Sequence, residues 1–217
     1  MNKEQIIENT KTFVKKSLEN AEGGHDWFHI ERVLNNALHI VREEEADEFI
    51  VALGALLHDI ADYKFHNGDE QVGPRVAREF LTSQDLPPEI TEHVVNIINH
   101  VSFKGGNNIQ EFYSPELAIV QDADRIDAIG AIGIARTFNY GGFKGRPLYD
   151  PEIAPNLNMS KEEYKNSTAP TINHFYEKLL LLKDRMNTPT GKAIAEQRHR
   201  FMQTYLDHFY AEWSGVI

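Results

Sequence analysis

Eight consecutive residues, Ile50-Val51-Ala52-Leu53-Gly54-Ala55-Leu56-Leu57, carry no polar side chain, and the run ends in His58-Asp59. A helix that is apolar on every side belongs inside a fold, so this stretch is expected to be buried in the core. An imidazole and a carboxylate carried inward on such a helix are costly to desolvate unless they are hydrogen-bonded or hold a metal. A core histidine bonded to nearby backbone, with the carboxylate capping the next turn, also satisfies the pair. The doublet alone does not decide between these readings, and partners elsewhere in the chain must.

The flanking sequence reads as helix throughout. Lys3 to Asn20 carries an irregular apolar stripe (Ile6, Ile7, Phe13, Val14, Leu18) stopped by Gly23-Gly24. Asp26 is a candidate cap for a second helix, in which Ile30, Val33, Leu34, Ala37, Leu38 and Val41 recur at helical spacing and His29 sits near the start. Further helices are expected from Val72 to Leu81, from Glu89 to His100 after the Pro87-Pro88 break, and from Ser114-Pro115 onward. Asn139 to Asn158, with Gly141, Gly142, Gly145, Pro147 and Pro151, reads as a long loop. Pro170 to Met186 and Gly191 to Trp213 close the chain as helices. No strand-like alternation, repeat or composition shift interrupts this pattern. The expectation is a single all-α domain over residues 1–217 with about eight to ten helices, a core over about 25–130 and carboxy-terminal helices over about 165–214.

The chain has no cysteine, which excludes disulfides, thiolate metal sites and a cysteine nucleophile. With 22 basic and 33 acidic residues its net charge is −11, unfavourable for nucleic acid polymers and acidic membranes. Neither a signal peptide nor a membrane span is read from the sequence, so a cytoplasmic location is expected. The oligomeric state is not legible. A glycine-rich Gly141-Gly142-Phe143-Lys144-Gly145 lacks the Gly-Lys-Ser/Thr ending of a P-loop, and no serine elbow or dinucleotide fingerprint occurs.

The segment Leu117-Ala118-Ile119-Val120-Gln121-Asp122-Ala123-Asp124-Arg125-Ile126-Asp127 places three carboxylates on a largely apolar helix. His29, His58, Asp59 and one of these aspartates can meet if their helices pack together. Two imidazoles and two carboxylates without sulfur suit Mn²⁺, Mg²⁺, Fe²⁺ or Zn²⁺. An octahedral shell with four protein ligands leaves positions for water and a phosphate oxygen. At about 100° per residue, Ile119, Val120, Ala123, Ile126 and Gly130 cluster near Asp127, with Asp124 at the flank. Periodicity therefore does not select among Asp122, Asp124 and Asp127.

His25-Asp26-Trp27-Phe28-His29, Leu57-His58-Asp59-Ile60-Ala61-Asp62, Gln121-Asp122-Ala123-Asp124-Arg125-Ile126-Asp127 and Arg136-Thr137-Phe138-Asn139-Tyr140-Gly141-Gly142, in this order, resemble a bacterial branch of the HD-domain superfamily of metal-dependent phosphohydrolases. The resemblance spans nearly the whole chain. It implies an all-helical fold and His29, His58, Asp59 and Asp124 as metal ligands, with Mn²⁺ the first choice. It also implies hydrolysis of a nucleotide-like phosphate ester or anhydride. Members of this branch are similar to enzymes that split nucleoside triphosphates into monophosphate and pyrophosphate.

Other residues take supporting roles in this reading. Asp62, three residues after Asp59, is the candidate general base beside Asp59 in the catalytic group. Lys64, His100, Lys104, Arg125, Arg136 and Arg146 are candidate phosphate-binding groups, because ammonium and guanidinium donors match phosphate oxygens. His25 and Asp127 are candidates for orienting the ligands. Each of these is also readable as a surface charge or a cap. Two rival functions remain at this stage: a nucleotide phosphomonoesterase with the same metal, and a non-catalytic nucleotide-binding regulatory module. A purely structural role for the histidines is a third.

Overall fold

Polar caps start the first helices where the sequence supplies them. In the computed structural model, Asn2 Oδ1 accepts from the Gln5 amide at 2.8 Å and opens α1 (Lys3–Ser17). Asp26 Oδ1 accepts from the His29 amide at 3.0 Å and opens α2 (Trp27–Val41). Asp47 accepts from the Phe49 amide at 2.8 Å and opens α3 (Glu48–Leu57). Such side chains satisfy amides that have no partner within the helix. Then come α4 (Val72–Ser83), α5 (Pro88–Val101) and α6 (Pro115–Asp127), the last capped by Ser114 Oγ, which accepts from the Leu117 amide at 3.0 Å.

The structure describes residues 2–19, 26–60, 69, 71–101, 112–160, 163 and 166–217. Among the described residues all regular structure is helical, with nine α-helices and one 3₁₀ helix, as the sequence led one to expect. None of these helices is long and apolar enough to cross a membrane. The chain groups into two units, residues 1–124 and 125–217.

In the first unit, α3 is the buried centre: Phe49 through Leu57 are all buried, and the helix packs on α1, α2 and α5. Each fully buried leucine contributes roughly 1.5–3 kcal/mol, which is what carries the following His-Asp pair inward. Gly54 permits close packing at this point. A Cβ there would stand 3.1 Å from Ile97 Cγ2 of α5 and 3.3 Å from Val120 Cγ2 of α6. The missing side chain thus brings α3, α5 and α6 together one turn before His58.

The second unit contains α7 (Gly130–Phe143), α8 (Asn173–Glu177), a 3₁₀ helix (Leu179–Arg185) and α9 (Pro189–Trp213). Two sequence expectations are corrected here. The loop expected from Asn139 begins later, because α7 continues through Gly141-Gly142 to Phe143. A Cβ on Gly141 would collide with Thr171 Oγ1, so this glycine serves close packing rather than a turn. The helix expected from Pro170 to Met186 is broken at Lys178, whose φ of −143° and ψ of −58° separate α8 from the 3₁₀ helix. Over seven residues, stripes with periods of 3.0 and 3.6 are nearly indistinguishable in sequence.

His174 makes this unit sensitive to acid. Burial, with Lys178 and Arg146 nearby, pushes its imidazole down from 6.5 to about 4. Between these values the unfolded chain holds a proton that the folded chain does not, so the contribution is fully present above about pH 6.5 and is lost as pH falls towards 4. The loss amounts to roughly 3 kcal/mol at the acid end. Urea midpoints measured across this window are expected to fall more steeply with acid for the parent than for His174→Phe. Identical slopes would contradict the assignment.

Candidate functional site

The site is built on the ends of three helices within residues 1–124. His29 lies in the first turn of α2, held there by the Asp26 cap, with its side chain 3% exposed. His58 follows the last residue of α3 and its Nδ1–H donates to the Ala55 carbonyl at 2.8 Å. That bond fixes the tautomer, leaving the Nε2 lone pair for an electrophile. The two rings stand edge to face with centroids 5.4 Å apart. Asp59 comes next in the chain, half-buried. One donor atom from each of His29, His58 and Asp59 lies within 4.8 Å of the other two.

Asp124, in the last turn of α6, brings Oδ1 to 3.6 Å from His29 Nε2 and 3.9 Å from His58 Nε2. Both separations exceed a hydrogen bond. Ligand atoms at about 2.0–2.3 Å from a common cation stand roughly 3–4.4 Å from one another, so these spacings suit groups that share an ion rather than bond directly. The Asn36 amide nitrogen donates to the Ala123 carbonyl at 3.4 Å, tying α2 to α6 beside the aspartate. Two imidazoles and nearby carboxylates, with no sulfur, form a donor set that fits a divalent cation.

The other candidates are distributed more widely. His25, Asp62, Lys64 and Lys104 lie outside the described residues. His100, half-buried at the end of α5, donates from Nδ1 to the Asn96 carbonyl at 2.8 Å, and its ring centroid is 5.6 Å from that of Phe112. Only a doubly protonated His100 ring retains a second donor for a phosphate oxygen. His93 instead meets Ser114 Oγ at 3.0 Å and Glu116 at 3.2 Å, beside the α6 cap.

Arg125, Arg136 and Arg146 belong to residues 125–217. The Arg125 guanidinium donates to the Arg185 carbonyl at 2.6 Å, that of Arg136 to the Asp127 carboxylate, and that of Arg146 to the Ser167 carbonyl. Asp127 is 1% exposed, so the apolar centre of the α6 pattern reports burial, while Asp124 at its flank faces the histidines. Sequence reasoning missed the Ala55 carbonyl that sets the His58 tautomer, although a carbonyl three residues before a helix-terminal histidine is a readable signal. It also missed Arg198, which donates to the Ile126 carbonyl at 2.6 Å across 72 residues of sequence. No local pattern announces that contact.

The HD domain family model matches residues 27–129, a stretch that holds His29, His58, Asp59 and Asp124. The Bacillus subtilis protein YpgQ is 37% identical over 96% of this chain and 94% of its own length. A crystal structure of an HD-superfamily hydrolase from Bacillus thuringiensis superposes with a TM-score of 0.80 at 44% identity, covering 98% of this chain and 99% of that one. YpgQ in complex with ADP gives a TM-score of 0.77 at 34% identity, covering 98% and 97%. The similarity over nearly all of both chains shows that this chain belongs to the HD superfamily of hydrolases.

Proposed function

We propose that this chain is a divalent-metal-dependent phosphohydrolase that splits (deoxy)nucleoside triphosphates into the monophosphate and pyrophosphate. The observation that carries the reading is the convergence of His29, His58 and Asp59 with Asp124. These four residues would hold the cation, with Mn²⁺ preferred. Such an ion, when bound, supplies Lewis acidity that activates water and offsets phosphate charge.

The chain's own residues do the rest. The Ala55 carbonyl keeps the His58 ring in one tautomer and orientation. Asp62 takes the proton of the attacking water. Lys64, Lys104 and His100 bind phosphate oxygens. The ADP bound by the relative YpgQ supports a nucleotide ligand. The net charge of −11 favours a small substrate over a nucleic acid polymer or a membrane, with action in the cytoplasm. Because relatives match across both units, we read residues 1–217 as one functional domain.

The test is to offer the metal-stripped protein a panel of nucleoside tri- and monophosphates with Mn²⁺ or Mg²⁺ and to separate the products. Monophosphate and pyrophosphate are the expected products. Free phosphate from monophosphates alone would make the protein a phosphomonoesterase. Stoichiometric binding without turnover would make it a regulatory nucleotide-binding module.

A further inference from the structure

We propose that Arg198, Asp127 and Arg136 form a positioning latch on the last turn of α6 that fixes Asp124 for metal binding. The proposal rests on the reading of Asp124 as a ligand. The final turn of a helix has carbonyls without partners in the helix and frays unless something holds it. Asp124 sits in that turn of α6, which ends at Asp127. Its side chain is 36% exposed. Its contacts to the two histidines are the long ones described above. Its position is therefore governed largely by the backbone that carries it.

That backbone is held at successive residues. Arg198 donates to the Ile126 carbonyl at 2.6 Å. Arg136 donates to the Asp127 carboxylate and, at 3.4 Å, to the Asp127 carbonyl. The carboxylate is 1% exposed, and Arg198 adds a second positive charge that attracts it. A buried carboxylate so compensated resists displacement, because moving it would leave a charge unpaired. Gly130 completes the device. Its φ of +77° turns the chain sharply after α6, and the absent Cβ leaves room for the stem of Arg198. Any Cβ there would lie 3.0 Å from Arg198 Cγ and 3.1 Å from its Cβ and Cδ. Glycine, arginine stem and guanidinium thus act on the same turn. A metal ligand has to be held within about 0.5 Å of its productive geometry, and the latch supplies that constraint.

The experiment titrates the metal-stripped full-length chain with Mn²⁺ and follows free Mn²⁺ by electron paramagnetic resonance. Arg198→Met keeps the apolar stem over Gly130 and removes the guanidinium. Its Mn²⁺ affinity is expected to fall roughly 10–100-fold, the usual effect of losing a group that orients a ligand. Arg198→Lys should recover part of the loss. Asp127→Asn gives a second, independent reading if Arg198→Met does not fold. Phe175→Ala, destabilised elsewhere in residues 125–217, is the control and should retain parental affinity below its melting temperature. Folded Arg198→Met and Asp127→Asn proteins that bind Mn²⁺ like the parent would overturn the latch while leaving the metal site intact. A parent that binds no Mn²⁺ would instead overturn the metal-site reading, and the latch with it.

Discussion

Asp59→Ala is expected to reduce nucleotide hydrolysis by roughly three orders of magnitude or more while leaving the far-ultraviolet circular dichroism unchanged. The size follows from what the residue would hold. A metal ion stabilises transition-state charge by several kcal/mol, and each loss of about 1.4 kcal/mol is a tenfold loss of rate. The helical signal should survive because Asp59 lies beyond the end of α3, whose buried residues Phe49 to Leu57 remain. Parallel activity and circular dichroism measurements on parent and variant check this. Activity within tenfold of the parent would remove Asp59 from the catalytic group.

The largest expected effect on stability is that of Phe175→Ala, at about 3–5 kcal/mol. Phe175 is fully buried in α8, a helix of only five residues. So short a helix does not hold itself together in water. Tertiary packing does: the Phe175 ring lies 6.0 Å from Phe138 of α7 and 6.0 Å from Tyr205 of α9, nearly parallel to the latter at 14°. Truncation removes both contacts and leaves a cavity between neighbours that cannot fully collapse. Urea unfolding followed by tyrosine and tryptophan fluorescence should show the lowered midpoint. A change below 1 kcal/mol would mean that α8 is held by something other than this ring.

The sequence made some parts of the molecule legible and hid others, for physical reasons. His58 and Asp59 stood out because an apolar helix ending in two polar groups raises a desolvation cost that needs an explanation. The α2 stripe and its Asp26 cap, both of which the structure contains, placed His29 near a helix start, and the resemblance made it a ligand. Periodicity could not choose among the α6 aspartates, because it measures burial. Its centre, Asp127, is the buried carboxylate bonded to Arg136, whereas Asp124 lies partly exposed beside the histidines. Only resemblance singled out Asp124. Gly141-Gly142 read as loop because glycine destabilises a helix interior, yet the close approach of Thr171 gives Gly141 a packing reason to remain inside one. The Arg198 contact to α6 was invisible for another reason: long-range side-chain bonds to backbone leave no local pattern.

The most direct test of the metal centre is an anomalous-difference map from crystals of this protein grown with Mn²⁺, collected on the high-energy side of the manganese edge. The expected result is one strong peak within bonding distance of His29 Nε2, His58 Nε2 and the carboxylates of Asp59 and Asp124. A map with no peak there, or with manganese bound only elsewhere on the chain, would contradict the account.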